Sequence, residues 1–330
     1  MHSNRSPHSI PFSIIPMSKK TFFQNIDSVI DDWHNTTFTF YPKDYVPGLD
    51  PDGNLTYGNG ENKRGIELNT CVLFVDIRNS VSLTEQHQIR TMGKIYSVFT
   101  HCVLLAAQED GGFVRNIIGD RVMIVFPEDN CYTNAVDCAI TINQIAEHIN
   151  EKFQNVEFKC GIGIDYGKMN VMKVGIPKRG QENDDNKGLV WIGYPANYAS
   201  RLTDSANKTI KEEYFHVEGD GITFSLAGDP FMRKAPHKVK DFSKEELMSA
   251  LSAINGQMHL SQFARITTFE KKEREYTFMP ILMSDKVYKG FRDANPNRRS
   301  VREGQWKLQE FPIRDIDFPV YGGKTTWNLS

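Results

Sequence analysis

The sequence predicts an α+β protein with a ferredoxin-like βαββαβ core carrying N- and C-terminal extensions. Three observations predict it. Short apolar, β-branched runs alternate with two long segments of helical periodicity, in the order strand, helix, strand, strand, helix, strand. A Gly119-Asp120 junction joins the middle two strands as a tight hairpin. Two aspartates, Asp76 and Asp120, fall at strand ends that this topology places side by side.

Residues 71–77 (CVLFVDI) read as a buried strand that Asp76 interrupts near its end. A charge there is costly unless it is paired, hydrogen-bonded or metal-bound. Residues 85–110 read as a helix with Ile89, Met92, Tyr96, Phe99, Val103, Leu104 and Ala107 on one face, and Gly111-Gly112 ends it. Residues 113–118 and 122–126 are the hairpin strands. Residues 132–150 form the second helix, with Ala135, Val136, Ala139, Ile142 and Ala146 on its apolar face, and residues 157–165 form the fourth strand. In this order the first strand lies antiparallel beside the third, so Asp76 and Asp120 converge at one sheet edge. A lone Asp at a strand end is more commonly a turn or cap residue; the joint placement is what argues for a site. Hard divalent cations take oxygen ligands, and Mg²⁺ is usually held by one or two carboxylates plus substrate phosphates.

Composition narrows the function classes. The chain has 330 residues, 39% hydrophobic and 24% charged, with a formal net charge of −2. That balance argues against direct nucleic-acid binding driven by bulk charge, so an anionic substrate must be held by local groups or metal. Five scattered cysteines with no CxxC read as reduced, packed thiols, and the expected location is cytoplasmic. No apolar stretch approaches the ~20 residues of a spanning helix, so no membrane segment is expected. Residues 1–18 read as disordered, and the apolar piece at 10–17, broken by Pro11 and Pro16, makes a poor signal-peptide core.

Outside the core, residues 19–33 read as a helix that packs on the core or on another subunit, the first being the plainer option, and residues 42–65 as a loop. Gly161, Gly163 and Gly167 are not a dinucleotide fingerprint, because they lie within strand pattern (157–165, then 169–175) rather than opening a helix. Glycines there permit close approach of backbone or ligand. Residues 177–188 read as a polar excursion. Pro195 opens a helix on which Asn197 and Arg201, four residues apart, share a face. They suit a ribose oxygen and a phosphate, or a plain surface pair. Further on, residues 214–226 and 267–283 read as strands, Ser243-x-x-Glu246 as a capping box opening a helix to about residue 254, and residues 295–302 as a basic loop. The expected division is an N-terminal extension (1–65), a catalytic domain (66–208) and a C-terminal α/β extension (209–330).

Taken together, Phe74-Val-Asp76-Ile-Arg-Asn-Ser, Ile118-Gly119-Asp120, Gly161-Ile-Gly163-Ile-Asp-Tyr-Gly167-Lys168 and Gly193-x-x-x-Asn197-x-Ala199-Ser200-Arg201-Leu202 resemble the class III nucleotidyl cyclase homology domain, in order and in spacing, over about residues 70–208. The resemblance implies two divalent metal ions (Mg²⁺ or Mn²⁺) on Asp76, Asp120 and the Ile77 carbonyl. It implies ribose orientation by Asn197, transition-state stabilisation by Arg201 and a phosphate contact from Lys168. It also implies a homodimer with composite active sites. At the family's purine-reading positions stand Asn116 and Val190, with Arg115 alongside, and neither purine code is present. An amide at 116 can both donate and accept, so it suits uracil or cytosine. The chain therefore resembles the pyrimidine cyclases of the bacterial Pycsar antiphage system. That implies CTP or UTP as substrate, cyclic CMP or cyclic UMP as product, and a separate cyclic-nucleotide-binding effector as its target. Two other readings stand beside it: an adenylate or guanylate cyclase with an atypical base pocket, and a catalytically silent nucleotide-binding regulatory module.

Overall fold

In the computed structural model, residues 18–57, 62–153, 156–176, 183–222, 236–254 and 257–328 are described. The N-terminal stretch 1–17, the first half of the polar excursion at 177–188 and the end of the strand expected at 214–226 lie outside them.

Helix α1 (Lys19–Asn35) is capped by Ser18, whose hydroxyl accepts from the Thr21 amide at 3.2 Å. Its expected packing is found only at its C-terminal end. There Trp33 stacks on Phe38 of β1 (Phe38–Pro42), while Phe22, Phe23 and Ile30 remain exposed. The cause is the turn at Thr36, where the chain leaves α1 for β1, and only that end is held against the parallel β1–β2 pairing. Strand β2 (Lys63–Ile77) starts inside the stretch expected to be loop and forms the centre of the sheet. Its residues Cys71, Leu73, Val75 and Ile77 face one core and Val72 the other.

The single helix expected at 85–110 is two, α2 (Ser80–Gln86) and α3 (Ile89–Glu109), because His87 and Gln88 are extended and break the ladder. Ile89, expected on the apolar face, is therefore at an exposed helix start. Strands β3 (Phe113–Ile118) and β4 (Arg121–Phe126) form the hairpin, with Gly119 at φ 62° supplying the left-handed turn residue. Helix α4 (Cys131–Lys152) buries Ala135, Val136, Ala139, Ile142 and Ala146 as its periodicity predicted. Strand β5 (Cys160–Gly175) is one strand where two were expected, because its ladder to β2 runs from Cys160 opposite Ile77 to Val171 opposite Ile66. The order β5-β2-β4-β3 places the fourth, first, third and second core strands side by side, all antiparallel, which is the ferredoxin-like sheet. Helices α3 and α4 cover one face, where Phe99 and Phe158 meet at 5.2 Å. Each fully buried side chain of that size contributes roughly 1.5–3 kcal/mol.

Strand β6 (Lys187–Ile192) pairs with the far end of β5, and α5 (Tyr194–Ser205) crosses the other face of the sheet. The C-terminal extension divides. Strands β7 (Thr209–Gly221), β8 (His237–Phe242) and β11 (Phe263–Thr277) form a separate antiparallel sheet. Beside it, α6 (Lys244–Ala250) precedes a hairpin of β9 (Leu251–Ile254) and β10 (Gln257–Leu260). The capping box of α6 is complete, with Glu246 N–H to Ser243 Oγ at 3.1 Å and Ser243 N–H to Glu246 Oε2 at 2.9 Å. The helix ends earlier than expected because Leu251 is already extended. The strand expected at 267–283 is interrupted at 278–280, and β12 (Ile281–Ser284) instead joins the central sheet, parallel to β5. Helices α7 (Asp285–Ala294) and α8 (Arg299–Arg302), the latter inside the expected basic loop, lead to β13 (Lys307–Leu308) and β14 (Val320–Gly323) at the sheet edge. All five cysteines are free, and among the described residues no helix is long and apolar enough to cross a membrane.

Candidate active site

The site is built where β2 ends and β4 begins. The β2–β4 register pairs Val75 with Val122. One step further, it places Asp76 opposite Arg121 and Ile77 opposite Asp120. The two predicted carboxylates are in contact. Burial, followed by the charge of Asp76, raises the Asp120 pKa, against hydrogen bonds from its own backbone amide and from Ser80. The Asp120 Oδ2 atom is buried and has no hydrogen-bond partner. An acceptor-only oxygen without a donor, beside a second carboxylate, fits a divalent cation with oxygen ligands. Among the described residues no group of three or more His, Cys, Asp and Glu side chains gathers as a metal cage. A cation here would rest on the carboxylate pair and on ligands from backbone and substrate.

Helix α5 lies against these strands because glycines let it. A Cβ at Gly161 would meet the Ala206 carbonyl oxygen at 2.5 Å, and one at Gly163 the Ala199 carbonyl oxygen at 2.3 Å. These are the close approaches that the glycine spacing predicted. Thr203 fixes the contact by donating its hydroxyl to the Phe74 carbonyl at 3.0 Å. The face of α5 turned toward the carboxylates carries Ser200, which the sequence reading quoted in its motif without a role, and Asp204, which it did not single out. Arg121 links the two elements. Its Nη2 donates to Asp76 Oδ2 at 2.9 Å and also to Asp204 Oδ1, and its Nη1 donates to Ser200 Oγ at 3.0 Å. Burial works against its charge, yet the bonds to Asp204 and Asp76 outweigh it and raise its pKa. Arg78 stands behind, its Nη1 3.9 Å from the same Asp76 oxygen and its Nη2 on the Thr203 carbonyl.

The structure does not bring the other predicted site residues to these carboxylates within one chain. Asn197 is exposed on α5. Arg201, also exposed, donates from Nη1 to the Asp315 carbonyl at 2.7 Å, away from Asp76. Adjacent residues on a helix diverge by about 100°, so Ser200 and Arg201 cannot face the same partner. Lys168 Nζ pairs with Glu67 Oε1 at 2.8 Å. Asn116 is exposed on β3 beside a register shift. Arg115 donates from Nη2 to the Val46 carbonyl and from Nη1 to the Val114 carbonyl, both at 3.2 Å, and burial lowers its pKa. Val190 lies exposed on β6 opposite Met172. From β3 to β6 the sheet runs through β4, β2 and β5. At ~4.8 Å per strand that is at least about 19 Å, so Asn116 and Val190 of one chain cannot hold one base.

Residues 66–209 match the model of the adenylate and guanylate cyclase catalytic domain. A uridylate cyclase of Burkholderia cepacia is 34% identical over 143 residues, which cover 42% of this chain and 59% of that protein. A uridylate cyclase of Gulbenkiania mobilis is 28% identical over 210 residues, covering 58% of this chain and 74% of that one. The first of these alignments thus spans little more than half of its relative. Among solved structures, the adenylyl cyclase CyaB from P. aeruginosa aligns over 78% of this chain and 93% of its own, at 14% identity and a TM-score of 0.42.

Proposed function

We propose that this chain, whose residues 66–209 match the adenylate and guanylate cyclase catalytic domain, is a pyrimidine nucleotide cyclase that converts UTP or CTP to the 3′,5′-cyclic monophosphate and pyrophosphate. The observation that carries the base assignment is Asn116, an exposed amide on β3 where a purine-reading cyclase needs a charged partner. A uracil or cytosine edge is met by an amide that donates and accepts, and a purine would find neither of the contacts by which the purine cyclases read their base. The relatives named uridylate cyclase favour UTP.

Asp76, Asp120 and the Ile77 carbonyl would hold two divalent cations, which when bound supply Lewis-acid activation of the ribose 3′-hydroxyl and neutralise charge on the triphosphate. The 3′-oxygen loses its proton and bonds to the α-phosphorus while the bond to the β-phosphate bridge breaks. Asn197 holds the ribose for in-line attack, and the Arg201 guanidinium stabilises charge on the α-phosphoryl oxygens as the transition state forms. Lys168 contacts the phosphates. Because α5 turns Asn197 and Arg201 away from the carboxylates of its own chain, these groups come from a second copy, and two composite sites form per homodimer. Asn116 with Arg115 and Val190 then reach one base from opposite subunits. The cyclic product acts on a separate effector in antiphage defence.

The test is incubation of the purified protein with UTP and with CTP in Mn²⁺, products identified by mass, beside the Asp76→Ala variant. Cyclic UMP or cyclic CMP from the wild type and none from the variant is the expected result. No cyclic product from either nucleotide would overturn the pyrimidine reading; if ATP and GTP also gave none, a regulatory module would be favoured instead.

A further inference from the structure

The two carboxylates at the end of β2 and the start of β4 are treated unequally by the fold. Asp120 Oδ2 has no partner, whereas Asp76 Oδ2 already carries a cation, the Arg121 guanidinium at 2.9 Å. That guanidinium has a second home on α5, at Asp204 and Ser200. Asp76 is only 16% exposed and Arg121 28%, while Asp204 is 57% exposed. The inner contact is the sheltered one and the outer contact faces water.

We propose that Arg121 is an internal counter-cation that closes the Asp76 half of the metal site in the nucleotide-free protein, and that it retreats onto Asp204 and Ser200 when a divalent cation arrives with the triphosphate. The inference rests on the cyclase reading above and extends it to how the site is loaded. A divalent cation on Asp76 would stand within a few ångströms of the guanidinium that donates to Oδ2, and the two positive charges repel at that range. Removing the guanidinium without a substitute leaves two half-buried carboxylates with only the longer contact from Arg78, 3.9 Å from Asp76 Oδ2, which is costly. Moving it to Asp204 keeps every charge compensated, since the arriving cation replaces it on Asp76. The arrangement disfavours metal without nucleotide, because a lone cation must displace a bonded guanidinium with no phosphate to share its charge. It also ties loading of the carboxylates to α5, the helix that presents Asn197 and Arg201. Arg121 is thus a positioning residue, acting through Asp76 and not on substrate.

The experiment is Mn²⁺ binding to the full-length protein, read as free Mn²⁺ by electron paramagnetic resonance, with and without a non-reactive UTP analogue. Arg121→Ala should bind Mn²⁺ about tenfold more tightly than wild type without nucleotide, and the gap should narrow with the analogue. Arg121→Lys, a cation of different shape, should fall between. Asp204→Asn removes the outer anchor, leaves Arg121 on Asp76, and should weaken Mn²⁺ binding several-fold. The two arginine and aspartate variants therefore move in opposite directions, which general loss of structure cannot produce; thermal melts confirm that each is folded. Unchanged or weaker binding in Arg121→Ala, with Mn²⁺ binding abolished by Asp76→Ala, overturns the counter-cation and leaves the metal assignment intact. Binding indifferent to Asp76→Ala overturns both.

Discussion

Replacing Gly163 with alanine asks whether close seating of α5 on β5 is what the catalytic geometry depends on. The new Cβ would lie 2.3 Å from the Ala199 carbonyl oxygen, 2.4 Å from the Thr203 amide nitrogen and 2.6 Å from Thr203 Oγ1. Two of the three are helix backbone, so no rotamer change relieves the clash. Restoring contact distances of ~3.5 Å requires α5 to back away by roughly 1 Å. The bond from Thr203 Oγ1 to the Phe74 carbonyl, now 3.0 Å, is then lost. Overpacking of this kind costs ~1–3 kcal/mol, of which the reduced chain entropy of alanine returns ~0.5 kcal/mol. A net loss of about 0.5–2.5 kcal/mol should lower the urea midpoint with little change in slope. A displacement of ~1 Å in the helix that carries Asn197 and Arg201 should lower turnover about a hundredfold. Gly167→Ala is the control, since its Cβ meets only Pro195 side-chain atoms, at 3.2 and 3.8 Å. Wild-type stability and turnover in Gly163→Ala, or equal damage from Gly167→Ala, would refute the reasoning.

Three further outcomes are expected. Arg201→Ala should lower kcat by ~10²–10³ with a smaller change in KM, measured by pyrophosphate release; an effect confined to KM would make Arg201 a ground-state contact. Asp76→Ala and Arg201→Ala, each nearly inactive alone, should on mixing recover about a quarter of wild-type activity through mixed dimers with one intact site, and no recovery would place both groups in one chain's site. Burial, with Asp137 next, raises the Asp110 pKa to about 6. A raised carboxyl contributes stability that is full below its unfolded pKa and lost as pH rises through its folded one, so the protein should weaken between about pH 4 and pH 6. Asp110→Asn should remove that dependence and stabilise the protein by about 1 kcal/mol at pH 7 after discount for solvent screening, read from thermal melts across pH.

Much of the fold was legible because its signals are local. The order of helical and strand periods gave the βαββαβ core, and the hairpin at Gly119-Asp120 followed from turn chemistry. The glycines of β5 were correctly read as sites of close approach, though α5 as the approaching partner was not visible. What escaped depends on distant pairing. Whether β5 is one strand or two is decided by its ladder to β2, and residues 281–284 join the core only through contact with β5. The break at His87 and Gln88 carries no Gly or Pro to announce it. At the site, Asp76 and Asp120 could be paired from topology alone. Arg121 could have been noticed as the residue following Asp120, but its partners on α5 lie some eighty positions away. Helical phase at Ser200 and Asp204 could have shown that Asn197 and Arg201 face elsewhere, once it was known which face the sheet covers.

The most direct measurement is a competition: equimolar ATP, GTP, CTP and UTP offered together to the wild-type protein in Mn²⁺, with every cyclic product quantified by mass. The account predicts that a cyclic pyrimidine monophosphate, cyclic UMP foremost, dominates the products. Cyclic AMP or cyclic GMP as the dominant product would contradict it.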